Sequence, residues 1–164
     1  MTTRLLQILL IGLLISCSLS PVKDRQSSRV IYSFERDSLV TEESYKLHIL
    51  NDDTIWVYRY INTSDSRKNM TFRFNTKTGV LKFGPFDFKK AERNFFSNRK
   101  LSSTNFDLYE LKVPVIDGNG PMLFNKEYGV LNVDNTSWTY QYLLLPERQE
   151  SLELSEQILK KLKE

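Results

Sequence analysis

The stretch SYKLHILNDDTIWVYRYI, residues 44–61, decides the fold of this chain of 164 residues more clearly than any other segment. Apolar and polar residues alternate on both sides of the turn-like Asn51-Asp52-Asp53. The apolar positions are Tyr45, Leu47, Ile49, Trp56, Tyr58 and Tyr60. Because successive side chains of a strand point to opposite faces of a sheet, this period of two predicts two half-buried strands joined as an antiparallel hairpin.

The same period extends over most of the chain beyond residue 29. A second hairpin is predicted for residues 71–74 and 80–83, where Gly79 can adopt a positive φ at little cost. The other alternating positions are Val30, Tyr32, Phe34, Tyr109, Leu111, Val113, Val115, Trp138, Tyr140, Tyr142 and Leu144, and residues 122–125 and 128–133 add two short strands. We therefore predict a mainly β or α+β domain built as an antiparallel β-meander. The pattern leaves open whether the sheet is barrel-like or stacks as a sandwich.

Two segments depart from this period and predict helices. In residues 86–100, Phe88, Ala91 and Phe95 recur at helical spacing. From residue 147 onward a charged amphipathic helix is predicted, with one apolar stripe. The stripe consists of Leu154, Ile158, Leu159 and Leu162. We expect this C-terminal helix to pack on the domain's own sheet.

The N-terminal residues have the composition of a secretion signal. Arg4 precedes an apolar run over residues 5–15, which is followed by Ser16-Cys17-Ser18. Such a run is typical of a signal peptide and is shorter than the roughly 20 apolar residues of a membrane-spanning helix. Leu14-Ile15-Ser16-Cys17 resembles the lipobox of bacterial lipoproteins, in which an aliphatic residue stands three before the cysteine and a small residue just before it. The resemblance covers residues 1–17 only.

This resemblance implies cleavage between Ser16 and Cys17, and lipidation of Cys17 together with the new amino terminus. Several acyl chains hold a protein firmly on a membrane. We expect a signal peptide over residues 1–16, a lipidated tether over 17–28 and a single β-rich domain over 29–164. By resemblance to the enterobacterial sorting rule, Ser18 after the cysteine favours the outer membrane. The expected location is therefore the cell envelope, with the domain facing the periplasm.

Composition restricts the class of protein further. About 150 residues remain after the signal, which is enough for one domain with a sizeable core. Cys17 is the only cysteine, so that core is expected to form without disulfides. The net charge of +3 is small and its charges are dispersed, which argues against a nucleic-acid partner.

No catalytic, metal or phosphate-binding constellation stands out. His48, the only histidine, is expected on the polar face of its strand. Asp117-Gly118-Asn119-Gly120 is typical of a turn and lacks the further acidic ligand of an EF-hand loop. Nothing in the sequence selects an acid–base pair from dispersed carboxylates such as Asp107, Glu110 and Asp134. We therefore predict a protein that is not an enzyme and uses no cofactor or metal.

Two aromatic stripes are the candidates for ligand contact. Aromatic rings on strands can stack on sugars or bases, but two such stripes are more often two sides of one core. The stripes consist of Trp56, Tyr58, Tyr60, Trp138, Tyr140 and Tyr142. The leading hypothesis is a non-enzymatic binding or accessory subunit whose partners are the membrane, through its acyl chains, and an envelope protein. The alternatives are a carrier of a small lipid or sugar, and an envelope hydrolase that uses dispersed carboxylates.

Overall fold

A computed structural model describes residues 23–101, 104–116, 118–135, 140–147 and 151–164. These residues form eleven strands and one α-helix, with 3-10 turns at Ser66–Lys68 and Arg99–Leu101. The strands are β1 (Lys23–Glu35), β2 (Ser38–Asp52), β3 (Ile55–Asn62), β4 (Met70–Asn75), β5 (Val80–Phe83), β6 (Phe86–Asn98), β7 (Thr104–Leu111), β8 (Met122–Asn125), β9 (Gly129–Val130), β10 (Asn132–Asn135) and β11 (Tyr140–Leu145). The helix, α1, is Ser151–Lys161.

One antiparallel sheet contains all eleven strands, in the order β10-β11-β1-β2-β3-β4-β5-β6-β7-β8-β9. The first strand pairs with the last, in the register Val30 opposite Leu145. Only Leu131 separates β9, which pairs with β8, from β10, which pairs with β11. The two edges of the sheet therefore meet on one continuous segment, residues 129–135. The predicted meander is confirmed, and it forms a nearly closed, barrel-like sheet.

Both predicted hairpins are present. In the first, Leu47 lies opposite Tyr60 and Ile49 opposite Tyr58. In the second, β4 and β5 pair with each other, and Gly79 in their turn has φ +69°. The alternating residues point inward, so each hairpin supplies one wall of the barrel interior.

The apolar residues form one core inside the barrel and a second core outside it. In β1, Ile31 belongs to the inner core, whereas Val30 and Tyr32 face outward. The outer core forms where α1 covers the outer faces of β1, β7, β8 and β11 and the end of β6. Its helical members are Leu154, Ile158 and Leu159, with Leu162 packed against them. The prediction that the C-terminal helix packs on its own sheet is confirmed.

Successive turns of the meander lie at alternate ends of the barrel. The turns at one end, which we call the open end, are at residues 36–37, 63–69, 84–85 and 112–121. The turns at the other, closed end are at residues 53–54, 76–79 and 126–128. Because β1 runs from Lys23 to Glu35, the chain enters the sheet at the closed end. An ion pair of 2.5 Å between Lys163 and Asp37 places the end of α1 at the open end.

The helix predicted for residues 86–100 is wrong, because residues 86–98 form strand β6, paired with β5 and β7. Phe88 points into the inner core. Two register shifts and Asn94, at φ +53°, then change which side chains point inward. As a result Phe95 and Phe96 join the outer core. The apolar residues of this irregular strand therefore have the sequence spacing of a helix face.

Two boundaries differ from the predicted ones. β1 begins at Lys23, opposite Asn51, so the sheet starts within the stretch predicted as a tether, residues 17–28. β7 ends at Leu111, and Val113 and Val115 lie outside the sheet with 69% and 45% of their surface exposed. The predicted signal peptide and the lipidation site lie outside the described residues. Within the described part of the chain, no helix is long and apolar enough to span a membrane.

Candidate functional site

The inside of the barrel is filled at the closed end and hollow at the open end. Aromatic rings fill the closed half edge to face, with centroids 5.3 Å apart for Tyr58 and Phe124 and 5.7 Å for Tyr60 and Phe72. Beyond these rings a cavity of about 450 Å³ lies among β1, β2, β4, β5, β10 and β11. Pockets that bind small molecules have volumes of roughly 300–1,000 Å³, so this cavity has the size of a ligand site.

The cavity wall is mostly apolar and aromatic, because it consists of inward-facing residues of these strands. Its large side chains are Tyr45, Met70, Phe83, Val133, Tyr140 and Tyr142. Ser33 stands among them, opposite Thr41 on β2 and opposite Tyr142 on β11. The small side chain of Ser33 leaves space at a position where neighbouring strands carry larger residues.

Polar groups lie towards the mouth of the cavity. Lys68 Nζ lies 2.5 Å from Glu43 Oε1, and Asn62 Nδ2 donates to Glu43 Oε2 over 2.7 Å. The hydrogen bond to Glu43 raises the pKa of Lys68, which keeps the ammonium charged. Asn119 and Asn135 also line the cavity. An apolar interior with a polar mouth suits a ligand that has an apolar body and a polar end.

Two tyrosines of the wall, Tyr45 and Tyr142, are neutral hydrogen-bonding groups. Burial raises the pKa of Tyr45 and of Tyr142 above the usual value of 10. The rings of Tyr140 and Tyr142 stack, with centroids 6.4 Å apart and 18° between their planes. The hydroxyl of Tyr140 donates to Glu35 over 3.3 Å. Since a neutral phenol can both donate and accept a hydrogen bond, these rings offer a ligand an apolar face and a polar edge.

The six predicted aromatic positions do not form one site. Tyr140 and Tyr142 line the cavity. Tyr58 and Tyr60 lie in the filled half, fully buried, where burial raises the pKa of both phenols. Their hydroxyls bind main-chain groups of residues 126 and 130, which makes them part of the core.

Trp56 is also separate from the cavity wall. Trp56 lies at the closed end and is 8% exposed. The side chains of Arg25 and Lys126 lie over its ring, 5.8 and 4.7 Å from the centroid. Trp138 lies outside the described residues. The cavity residues that the sequence did not single out include Ser33, Met70, Phe83 and Asn135, which carry no signal beyond an inward position on a strand.

The remaining candidate residues lie apart. His48 is on the outer side of β2, opposite Arg59. Asp107 on β7 is ion-paired with Lys90 at 2.5 Å, whereas Glu110 on the same strand is exposed. Asp134 is on β10, where burial raises the pKa of its carboxyl group. Among the residues described from 23 to 164, no three His, Cys, Asp or Glu side chains are grouped so that they could hold a metal ion.

Comparisons of the chain with family models, with curated proteins and with solved structures find no significant match.

Proposed function

We propose that this protein is a lipoprotein of the bacterial cell envelope that binds a small, largely apolar molecule in the open half of its barrel and does not act as an enzyme. The observation that supports this most is the cavity of about 450 Å³ inside a barrel whose other half is filled by aromatic rings. Barrels of about eight strands are just wide enough for their own side chains or one small ligand, and wider barrels enclose ligand cavities. The cavity thus favours a ligand carrier over the other hypotheses from the sequence.

The wall favours a lipid-like ligand over a sugar. Ile31, Met70, Phe83 and Val133 offer no hydrogen bonds in the interior of the cavity. Burying apolar ligand surface against them contributes about 25 cal/mol per Å². A sugar would lose hydrogen bonds to water over this surface, at a cost of roughly 1–3 kcal/mol for each buried hydroxyl group left unpaired. We therefore propose a chain or ring system with one polar end at the mouth, near Glu43 and Lys68.

The proposed lipid anchor is compatible with an accessible cavity. Five residues separate Cys17 from Lys23, where β1 begins at the closed end. An extended chain reaches about 3.5 Å per residue, so the anchor holds the closed end within roughly 20 Å of the membrane. The mouth is at the opposite end of the barrel. In the proposed location, the periplasmic side of the outer membrane, the ligand can enter and leave without displacement of the anchor.

Lipidation of Cys17 is tested by the intact mass of the protein extracted from membranes. We expect a chain that begins at Cys17 and carries added acyl groups. A Cys17→Ala variant should remain uncleaved, because the cysteine is both the acylated residue and the cleavage site of a lipoprotein. An unacylated chain cut at another position would contradict the proposed anchor.

Ligand binding is tested by filling the cavity. We expect Ser33→Phe to reduce binding of the apolar dye Nile red at least about tenfold, since the ring would occupy the space between Thr41 and Tyr142. Native mass spectrometry should also show a co-purified small molecule on the wild type and less of it on the variant.

The matched control is Ser44→Phe, which makes the same change on the exposed outer side of β2 and should leave binding unchanged. Thermal unfolding followed by circular dichroism verifies that both variants are folded. The proposal fails if the wild type binds neither dye nor co-purified molecule, or if both variants bind as the wild type does.

A further inference from the structure

The outer surface of β2–β6 carries a group of basic residues that no helix covers. Their neighbours along each strand point into the inner core, so these side chains point away from the barrel. We call this surface the basic wall, and it consists of Lys46, His48, Arg59, Arg73, Lys82 and Lys89. The helix α1 packs in the outer core with β1, β8 and β11 and next to the second half of β6, where Lys161 lies over the ring of Phe95, away from Lys89.

Acidic groups neutralise part of the basic wall. Asp87 lies directly opposite Lys82, with one carboxylate oxygen 3.9 Å from Lys82 Nζ. Glu110 of β7 lies directly opposite Lys89, and Asp52 stands at the closed end. The wall thus has five Lys and Arg side chains against these three carboxylates, which leaves it with net positive charge.

The register of the sheet places two like charges directly opposite each other, Arg73 and Lys82. Like charges in directly opposed positions destabilise a sheet. Arg59 lies on the neighbouring strand, opposite His48 and Thr71, and has no acidic residue across from it. An anionic surface over these side chains offsets the repulsion between them.

We propose that the basic wall docks on the anionic lipid surface of the membrane that carries the protein. The cations are spread over five adjacent strands and do not converge on a pocket, which fits an extended charged surface better than a single small anion. Leu50 and Val57, opposite each other within the wall, supply apolar contact between the cations. Basic residues close to anionic lipid headgroups are attracted to them over about a Debye length.

The start of the sheet places the basic wall next to the proposed anchor. Lys23 lies opposite Asn51 of β2, so the chain that leads to Cys17 leaves the barrel at the edge of the wall. With the wall on the bilayer, the barrel lies on its side and the mouth of the cavity stays open. We choose a membrane as the occupant because of the proposed envelope location. The positive charge of the surface does not depend on that location.

The test is co-sedimentation with lipid vesicles. Every strand and both cores described above lie beyond residue 22, so the chain from residue 18 onward retains the whole barrel. We expect it to bind vesicles of equal parts phosphatidylglycerol and phosphatidylcholine, more weakly as salt is added, and not to bind phosphatidylcholine alone. Replacing Arg59, Arg73 and Lys82 by serine should weaken binding about a hundredfold, because each basic residue near an anionic membrane contributes about fivefold.

The matched control removes the same charge from other exposed positions, with Arg36, Arg99 and Lys160 replaced by serine. This variant should bind vesicles nearly as well as the wild type. The wall variant should unfold at about the same temperature as the wild type, since it loses both the like-charge pair of Arg73 and Lys82 and the weak ion pair of Lys82 with Asp87, and it should still bind Nile red. Loss of vesicle binding is then distinguishable from unfolding and from failure of the cavity proposal.

Three outcomes would overturn the inference. If the wild type does not bind anionic vesicles, the wall is not a membrane surface. If both triple variants lose binding equally, only the net charge of the protein is responsible. If the wild type binds polyglutamate but not vesicles, the occupant is an acidic polypeptide and not a lipid surface.

Discussion

Gly129→Ala is expected to lower the free energy of unfolding by about 2–6 kcal/mol, because two costs combine at this position. Gly129 has φ +99°, a backbone conformation that residues with a side chain rarely adopt. An added Cβ would also lie 2.6 Å from the hydroxyl oxygen of Tyr60 and 3.3 Å from the ring of Tyr58. Urea unfolding followed by circular dichroism measures the change.

Gly84→Ala is the control that separates the two costs. Gly84 has φ +55°, but nothing lies within 4 Å of an added Cβ. Only the backbone cost remains there, about 1–2 kcal/mol. Equal losses for the two variants would show that contact with Tyr60 does not restrict residue 129.

Tyr60→Phe is expected to lower the free energy of unfolding by at least about 2 kcal/mol, because it leaves two buried main-chain groups without a partner. The hydroxyl of Tyr60 donates to the carbonyl oxygen of Val130 over 3.1 Å and accepts from the amide of Val130 over 2.9 Å. Val130 lies in the segment where pairing changes from β8 to β11, so this hydroxyl serves main-chain groups inside the barrel. Chemical denaturation of the variant beside the wild type measures the loss.

Tyr58→Phe is the matched control for Tyr60→Phe. The hydroxyl of Tyr58 makes one bond of 2.7 Å, to the carbonyl oxygen of Lys126 in an exposed turn. Water can replace this bond, so we expect a loss of about 1 kcal/mol or less. A loss as large as that of Tyr60→Phe would mean that the two hydrogen bonds to Val130 stabilise the protein no more than the single hydrogen bond of Tyr58 does.

Local alternation predicted the hairpins of β2–β3 and β4–β5, because their inward residues are evenly spaced and the turns are short. The same reasoning failed at β6, where Asn94 and the register shifts break the period. Closure of the sheet was not predictable either. It depends on pairing between β1 and β11, which are far apart in the chain and whose alternation would suit a sandwich equally well.

The candidate site was only partly predictable for a related reason. The two aromatic stripes have the same pattern, yet Tyr60 is core and Tyr142 lines the cavity. Alternation indicates which residues point inward, but not how far along the barrel axis each one lies. Ser33 was missed because a small polar residue in a strand indicates a cavity only when the larger residues opposite it in the sheet are known.

The pairing of β1 with β11 has a consequence for the order of folding. A chain synthesised from its amino terminus presents β1 long before β11, whose last residue is Leu145. Contacts between residues so distant in sequence make folding slow. The barrel cannot close until nearly the whole sheet has been synthesised, and until then the edge of β1 that binds β11 has no partner strand.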